Sequence, residues 1–137
     1  MHFEIVERGH GTPLVVVPGV QGRWEYSRGL VEALAREYRV ITFSLCDERS
    51  GHPDASSPMD VFANQVAFAL DRTRTERAPI VGVSFGGLVA LRFAARRAVR
   101  TGGTLHLLAL VPRQQFVAFG GIQATIEEEA RLRAEER

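Results

Sequence analysis

Ser84 lies in the run Val81-Gly82-Val83-Ser84-Phe85-Gly86-Gly87, a G-x-S-x-G sequence with a glycine two residues to either side of the hydroxyl. The residues leading into it, Pro79-Ile80-Val81, suit a short apolar strand, and a long helical pattern begins near Gly86. A serine at such a strand-to-helix corner is forced into a strained backbone conformation. Its neighbours must lack side chains so that the helix can start at once and pack on the sheet. The strain leaves the hydroxyl exposed above the carboxyl end of the sheet, where a reacting carbonyl can meet it. The chemistry in reach is acyl transfer through a covalent acyl-serine. An unassisted hydroxyl is a weak nucleophile, so that chemistry also requires a base, a group to orient the base, and donors for the developing oxyanion. A phosphate-holding role fits poorly. Ser84 occupies the second glycine position of a G-x-G-x-x-G pattern, and Gly87 is followed by Leu88 where a P-loop needs lysine.

The helpers are not legible. His106 is the one histidine after Ser84, and it falls inside the apolar run Leu105–Val111, where a core or edge role is expected. His2, His10 and His52 precede the serine, in turns or a terminal strand, and no aspartate follows Asp71. Glu127, Glu128 and Glu129 cluster at a helix start, where acidic residues complement the helix dipole. Trp24 and Phe85 are candidates to line an acyl pocket, with ordinary packing an equal alternative, and Cys46 reads as a small apolar side chain at a strand end.

The elements that must position Ser84 alternate strand and helix, which argues for a parallel sheet covered on both faces. Phe3–Val6, Leu14–Val17, Val40–Phe43, Pro79–Val83 and Leu105–Val111 read as strands. Tyr26, Leu30, Leu34 and Tyr38 recur every four residues and predict a first helix with that stripe inward. A second helix is marked by Ser57 as cap, Pro58 at its first position and Asp60 three residues after the cap, with Met59, Phe62, Ala63, Val66, Ala67 and Leu70 on one face. The third runs from Gly86 to Val99, with Arg96, Arg97 and Arg100 near its negative end and Gly102-Gly103 as its stop. After Pro112 the pattern thins. Thr125-x-x-Glu128 resembles a capping box for a terminal helix whose apolar stripe is only Ile122, Ile126, Ala130 and Ala134.

Composition sets outer bounds. A chain of 137 residues holds one core, and its 45% apolar content is that of an ordinary globular domain. With 17 basic and 16 acidic residues spread along the chain, there is no electrostatic footprint for nucleic acid. One cysteine excludes an internal disulfide. No apolar run is long enough to span a bilayer and no signal-peptide pattern opens the chain, so no membrane partner and a cytoplasmic location are expected.

The glycine-flanked serine in its strand–turn–helix setting resembles the nucleophile elbow of the α/β-hydrolase superfamily, over roughly residues 3–111. The resemblance covers the amino-terminal portion of that family's usual fold. It implies an α/β architecture: an incomplete, mostly parallel sheet of about five strands with helices on both faces, plus a C-terminal helix. Residues 1–111 would be the hydrolase part, and 112–137 an irregular segment with a terminal helix. By the same resemblance Ser84 is the nucleophile, the backbone N–H groups of Val20 and Phe85 form the oxyanion hole, and Gly19 and Trp24 border the substrate. Pro18-Gly19 stands where the family often has His-Gly, and Asp47–His52 resembles its D-x-R-G-x-G segment, interrupted by Ser50. The substrate would be a small acyl compound, with no metal and no cofactor. Family order places an Asp or Glu and then a His after the serine; their absence implies a truncated chain. Two functions follow: a serine hydrolase of esters, thioesters or amides, or an inert half-fold that binds a partner, pairing through an exposed edge strand Leu105–Val111. An acyltransferase is a third.

Overall fold

The computed structural model describes residues 4–19, 21–46 and 57–108. The described residues hold four strands, β1 (Ile5–Arg8), β2 (Pro13–Val17), β3 (Arg39–Phe43) and β4 (Ile80–Gly82). Three α-helices accompany them: α1 (Arg28–Leu34), α2 (Pro58–Arg72) and α3 (Phe85–Thr101). A 3-10 turn, Trp24–Ser27, leads into α1. The sheet order is β1-β3-β2-β4. β2 runs parallel to both β3 and β4, and β1 alone is antiparallel, against β3. The architecture is the partial, mostly parallel α/β sheet that the sequence implies.

Alternation along β2 and β3 divides the core between the two faces. Val15, Val17, Ile41 and Phe43 pack with Val66 and Ala69 of α2 and Val89 of α3. Val16 and Val40 point the other way, against Val31 of α1, with Trp24, Leu34, Ala35 and Val81 around them. Apart from Arg39 at the start of β3 and Thr42, both strands are apolar because both faces are covered. The Thr42 hydroxyl is buried and donates to the Val16 carbonyl at 2.9 Å, which removes the cost of an unpaired polar group.

Three expectations are corrected. The strand count is four among the described residues, one fewer than the sequence suggests: residues 105–108 have no strand partner, and Leu105, Leu107 and Leu108 are exposed. Strand-like composition is not enough where no neighbouring strand satisfies the backbone; the rest of that run, 109–111, lies outside the described residues, as does 112–137. The first helix buries Val31, and of the Tyr26–Tyr38 stripe only Leu34 packs on the core, with Tyr26, Leu30 and Tyr38 exposed. Tyr26 is 75% exposed, because the segment opens as a 3-10 turn and α1 has only seven residues, too few to carry a four-residue periodicity from 26 to 38. The third helix begins at Phe85 and runs to Thr101, longer at both ends than Gly86–Val99.

The second helix forms as its cap residues dictate: Ser57 is the N-cap, its Oγ accepting from the Asp60 N–H, and Pro58 takes the first position. At the opposite end the Arg39 guanidinium donates to the Thr73 carbonyl (3.1 Å) and Thr75 Oγ1 (2.6 Å), tying the end of α2 to the start of β3. The chain divides into two units at Leu105, and the elements above belong to the first. Among the described residues no helix is long and apolar enough to cross a membrane.

Candidate active site

β4 is short, and its course is fixed by β2. Val15 donates to the Pro79 carbonyl at 3.0 Å and Val83 donates to the Val17 carbonyl at 3.0 Å, so the strand is held to its neighbour up to the residue before the serine. There the chain reverses. Ser84 has φ 51 and ψ −117, one of two non-glycine residues with positive φ among those described. An L-residue pays for that conformation in steric strain of about 1–3 kcal/mol, so the surroundings must impose it. They do so through close backbone approach. A Cβ on Gly82 would overlap the backbone of Gly86 and Gly87, and one on Gly86 would overlap the carbonyls of Val17 and Pro18. The corner can close only because neither position carries a side chain.

The corner sorts its amides. Gly86 N–H donates to the Val83 carbonyl (2.9 Å) and Gly87 N–H to the Ser84 carbonyl (2.8 Å). The Phe85 N–H, the first of α3, makes no such bond among the described residues and belongs to the helix terminus, where the macrodipole is positive. The Phe85 ring meets Phe62 of α2 edge-on, with centroids 5.7 Å apart and planes at 87°, which anchors the residue that carries this amide.

Ser84 is exposed, and its hydroxyl has no hydrogen-bond partner among the described residues. Gly19 lies beside it: a Cβ built there would stand 3.8 Å from the Ser84 Cβ and 3.3 Å from the Val83 carbonyl oxygen. The loop after β2 therefore approaches the serine corner. Val20 is outside the described residues, as are His2, His52 and the Asp47–His52 segment. Trp24 sits elsewhere than the serine's α3 side. It packs in the α1-face cluster, with the guanidinium carbons of Arg28 and Arg8 at 5.5 and 5.9 Å from its ring, while Phe85 joins the opposite face.

Two polar devices behind the site escape a local reading of the sequence. Asp60 is 1% exposed, and its carboxylate bridges the helices: Arg92 Nε donates to Oδ1 at 2.9 Å, Arg96 Nη1 to the same oxygen at 3.0 Å, and Ser57 Oγ to Oδ2 at 3.0 Å. That hydrogen bond raises the Arg92 pKa above its ordinary value. Asp60 thus holds α2 against α3, the helix that begins at the serine, and its fit to a capping position hid this second task. The other device is Gln65, whose side-chain amide donates to the Cys46 carbonyl and accepts from the Cys46 N–H (3.2 Å). Only a buried glutamine on the α2 face, out of step with its apolar stripe, hinted at it.

A family model described as alpha/beta hydrolase fold matches residues 12–104, more than half of the chain. Among curated relatives, the 2-hydroxymuconate semialdehyde hydrolase of Pseudomonas sp. is 34% identical over 102 residues, covering 69% of this chain and 35% of that protein. RutD of Azorhizobium caulinodans is 30% identical over 95 residues, again covering 69% and 35%. Among solved structures, the meta-cleavage product hydrolase of Pseudomonas fluorescens superposes with a TM-score of 0.59 at 26% identity, over 70% of this chain and 37% of the other. The chain spans about a third of the length of these relatives.

Proposed function

This chain belongs to the alpha/beta hydrolase fold family, and from that premise we propose that it is the nucleophile-bearing portion of a serine hydrolase. The observation that carries the reading is the strained, exposed Ser84 at a glycine-closed corner, with the uncommitted Phe85 amide next to it and Gly19 against it. In the proposed reaction Ser84 Oγ attacks the carbonyl carbon of an ester, thioester or amide. Its proton passes to a base, the oxyanion is received by the Phe85 and Val20 amides, and the leaving group departs as an alcohol, thiol or amine. Water then cleaves the acyl-serine and regenerates the hydroxyl. An acyltransferase would differ only in the acceptor that replaces water.

The described residues offer Ser84 no hydrogen-bonded base. Loss of the base from such a site costs about 10⁶ in turnover, whereas one oxyanion donor is worth about 10²–10³. Oxyanion donors alone do not restore turnover, so a chain whose Ser84 meets no base is expected to be nearly inert.

A second reading, a non-catalytic half-fold that binds a partner, draws on the sheet edge. Among the described residues β4 is bonded to β2 on one side alone, and an unpaired edge is a template for another strand. One experiment separates the two. A fluorophosphonate probe at long exposure that labels the chain slowly but measurably faster than Ser84→Ala supports the hydrolase, the residual rate coming from the oxyanion donors alone. Labelling no faster than that of Ser84→Ala, with a defined dimer in sedimentation, supports the binding module.

A further inference from the structure

The clasp between α2 and α3 leaves a surplus of positive charge. Over residues 85–101, α3 carries Arg92, Arg96, Arg97 and Arg100 and no acidic residue. Of these arginines Asp60 engages Arg92 and Arg96. Beyond that pair, a small cleft of about 40 Å³ opens between the helices, lined by Ala63, Asn64 and Ala67 of α2 and Phe93, Arg96, Arg97 and Arg100 of α3. The guanidinium groups of Arg97 and Arg100 have no hydrogen-bond acceptor and no carboxylate partner among the described residues. Proximity to the carboxyl end of α3 favours a cation at Arg100 but leaves its donors free. Asn64 accepts from Arg96 at 3.4 Å through Oδ1, and its amide nitrogen keeps both donors.

The lining is therefore made of donors above an apolar floor of Ala63, Ala67 and Phe93. Guanidinium forks match the oxygens of a phosphate in pairs, which a compact ammonium does not. We propose that this cleft is a binding site for a phosphate monoester, the phosphoryl oxygens held by Arg97, Arg100 and the Asn64 amide and the ester's apolar portion resting on Phe93. Arg96, held by Asp60, is the fixed wall of the site. The site stands apart from Ser84 and does not rest on the hydrolase reading.

The test uses the full chain with two probes, inorganic phosphate and phenyl phosphate, titrated calorimetrically with ionic strength matched by sodium chloride. Both are expected to bind, phenyl phosphate more tightly by about threefold or more because its ring adds apolar burial. Arg97→Gln/Arg100→Gln should weaken both by about tenfold or more. Since both arginines are exposed, this variant is expected to fold, and circular dichroism checks that it does. Arg97→Lys/Arg100→Lys, which preserves charge and removes the fork, should fall between. Ser84→Ala should bind as the parent does. Equal heats from the parent and the glutamine variant overturn the proposal. So does a lysine variant equal to the parent, since that would make the effect one of net charge without a site.

Discussion

The two sides of the sheet are built to different standards. Around β2 and β3 every inward position is covered: Val15, Val16, Val17, Val40, Ile41 and Phe43 are fully buried, with helices on both faces. Around β4 and α3 cover is partial. Ile80, Val81 and Gly82 are each only half-buried, and α3 exposes Leu88 (57%) and Val99 (85%) while burying just Gly86 and Val89. The candidate nucleophile stands on the less covered side. Its geometry nevertheless holds, because it comes from backbone meeting backbone at Gly82 and Gly86 and from hydrogen bonds to β2, and not from a deep apolar shell. The tightly packed core and the candidate site thus fall in different parts of one sheet.

The sharpest way to break that contrast is a pair of truncations. Ile41→Ala should cost about 2–5 kcal/mol, as removal of a fully enclosed aliphatic side chain does, while Leu88→Ala should stay within about 0.5 kcal/mol, as at an exposed position. Urea midpoints of the two variants measure it; a large loss at Leu88 would mean that the outer face of α3 is covered in solution. A smaller effect of opposite sign is expected at the corner. Ser84→Gly relieves a positive φ that serine tolerates poorly and should stabilise by about 1 kcal/mol. An unchanged midpoint would say that the corner relaxes and stores no strain.

The smallest effect belongs to the turn ahead of α1. The Arg23 guanidinium bonds the Glu25 carboxylate at 2.7 Å and holds its pKa below the ordinary 4.5. A lowered carboxylate pKa contributes stability that is present above the unfolded value and is lost as pH falls through the folded one. Both groups are solvent-exposed, so the contribution is slight and screened by salt. Carbon-detected titration of Glu25 should show its midpoint rising toward 4.5 in Arg23→Gln.

What the sequence made legible was whatever is decided locally. Ser57, Pro58 and Asp60 mark the start of α2 because a cap is satisfied within four residues. The glycine spacing around Ser84 marks the corner for the same reason. Burial on both faces is written in the apolar run Leu14–Val17 and in Val40–Phe43, which Thr42 alone interrupts. Decisions made at a distance stayed hidden. Asp60 meets Arg92 and Arg96, 32 and 36 positions away, and nothing in an aspartate three residues after a cap reveals that it will be enclosed. Tyr26, Leu30 and Tyr38 have helical spacing, yet the turn they begin in and the brevity of α1 rotate them outward. Leu105–Leu108 has a strand's composition but no described neighbour to bond to.

Gln65 stands in the middle of a helix and behaves, at its tip, like a sheet. Offering one acceptor and one donor to a single residue, it gives Cys46 the pairing that a flanking chain would have given, three positions past the point where β3 formally stops. A planar side-chain amide is the natural group for this, since it mimics a peptide unit. Glutamate, equal in size, would set an oxygen against the Cys46 carbonyl and turn a latch into a repulsion.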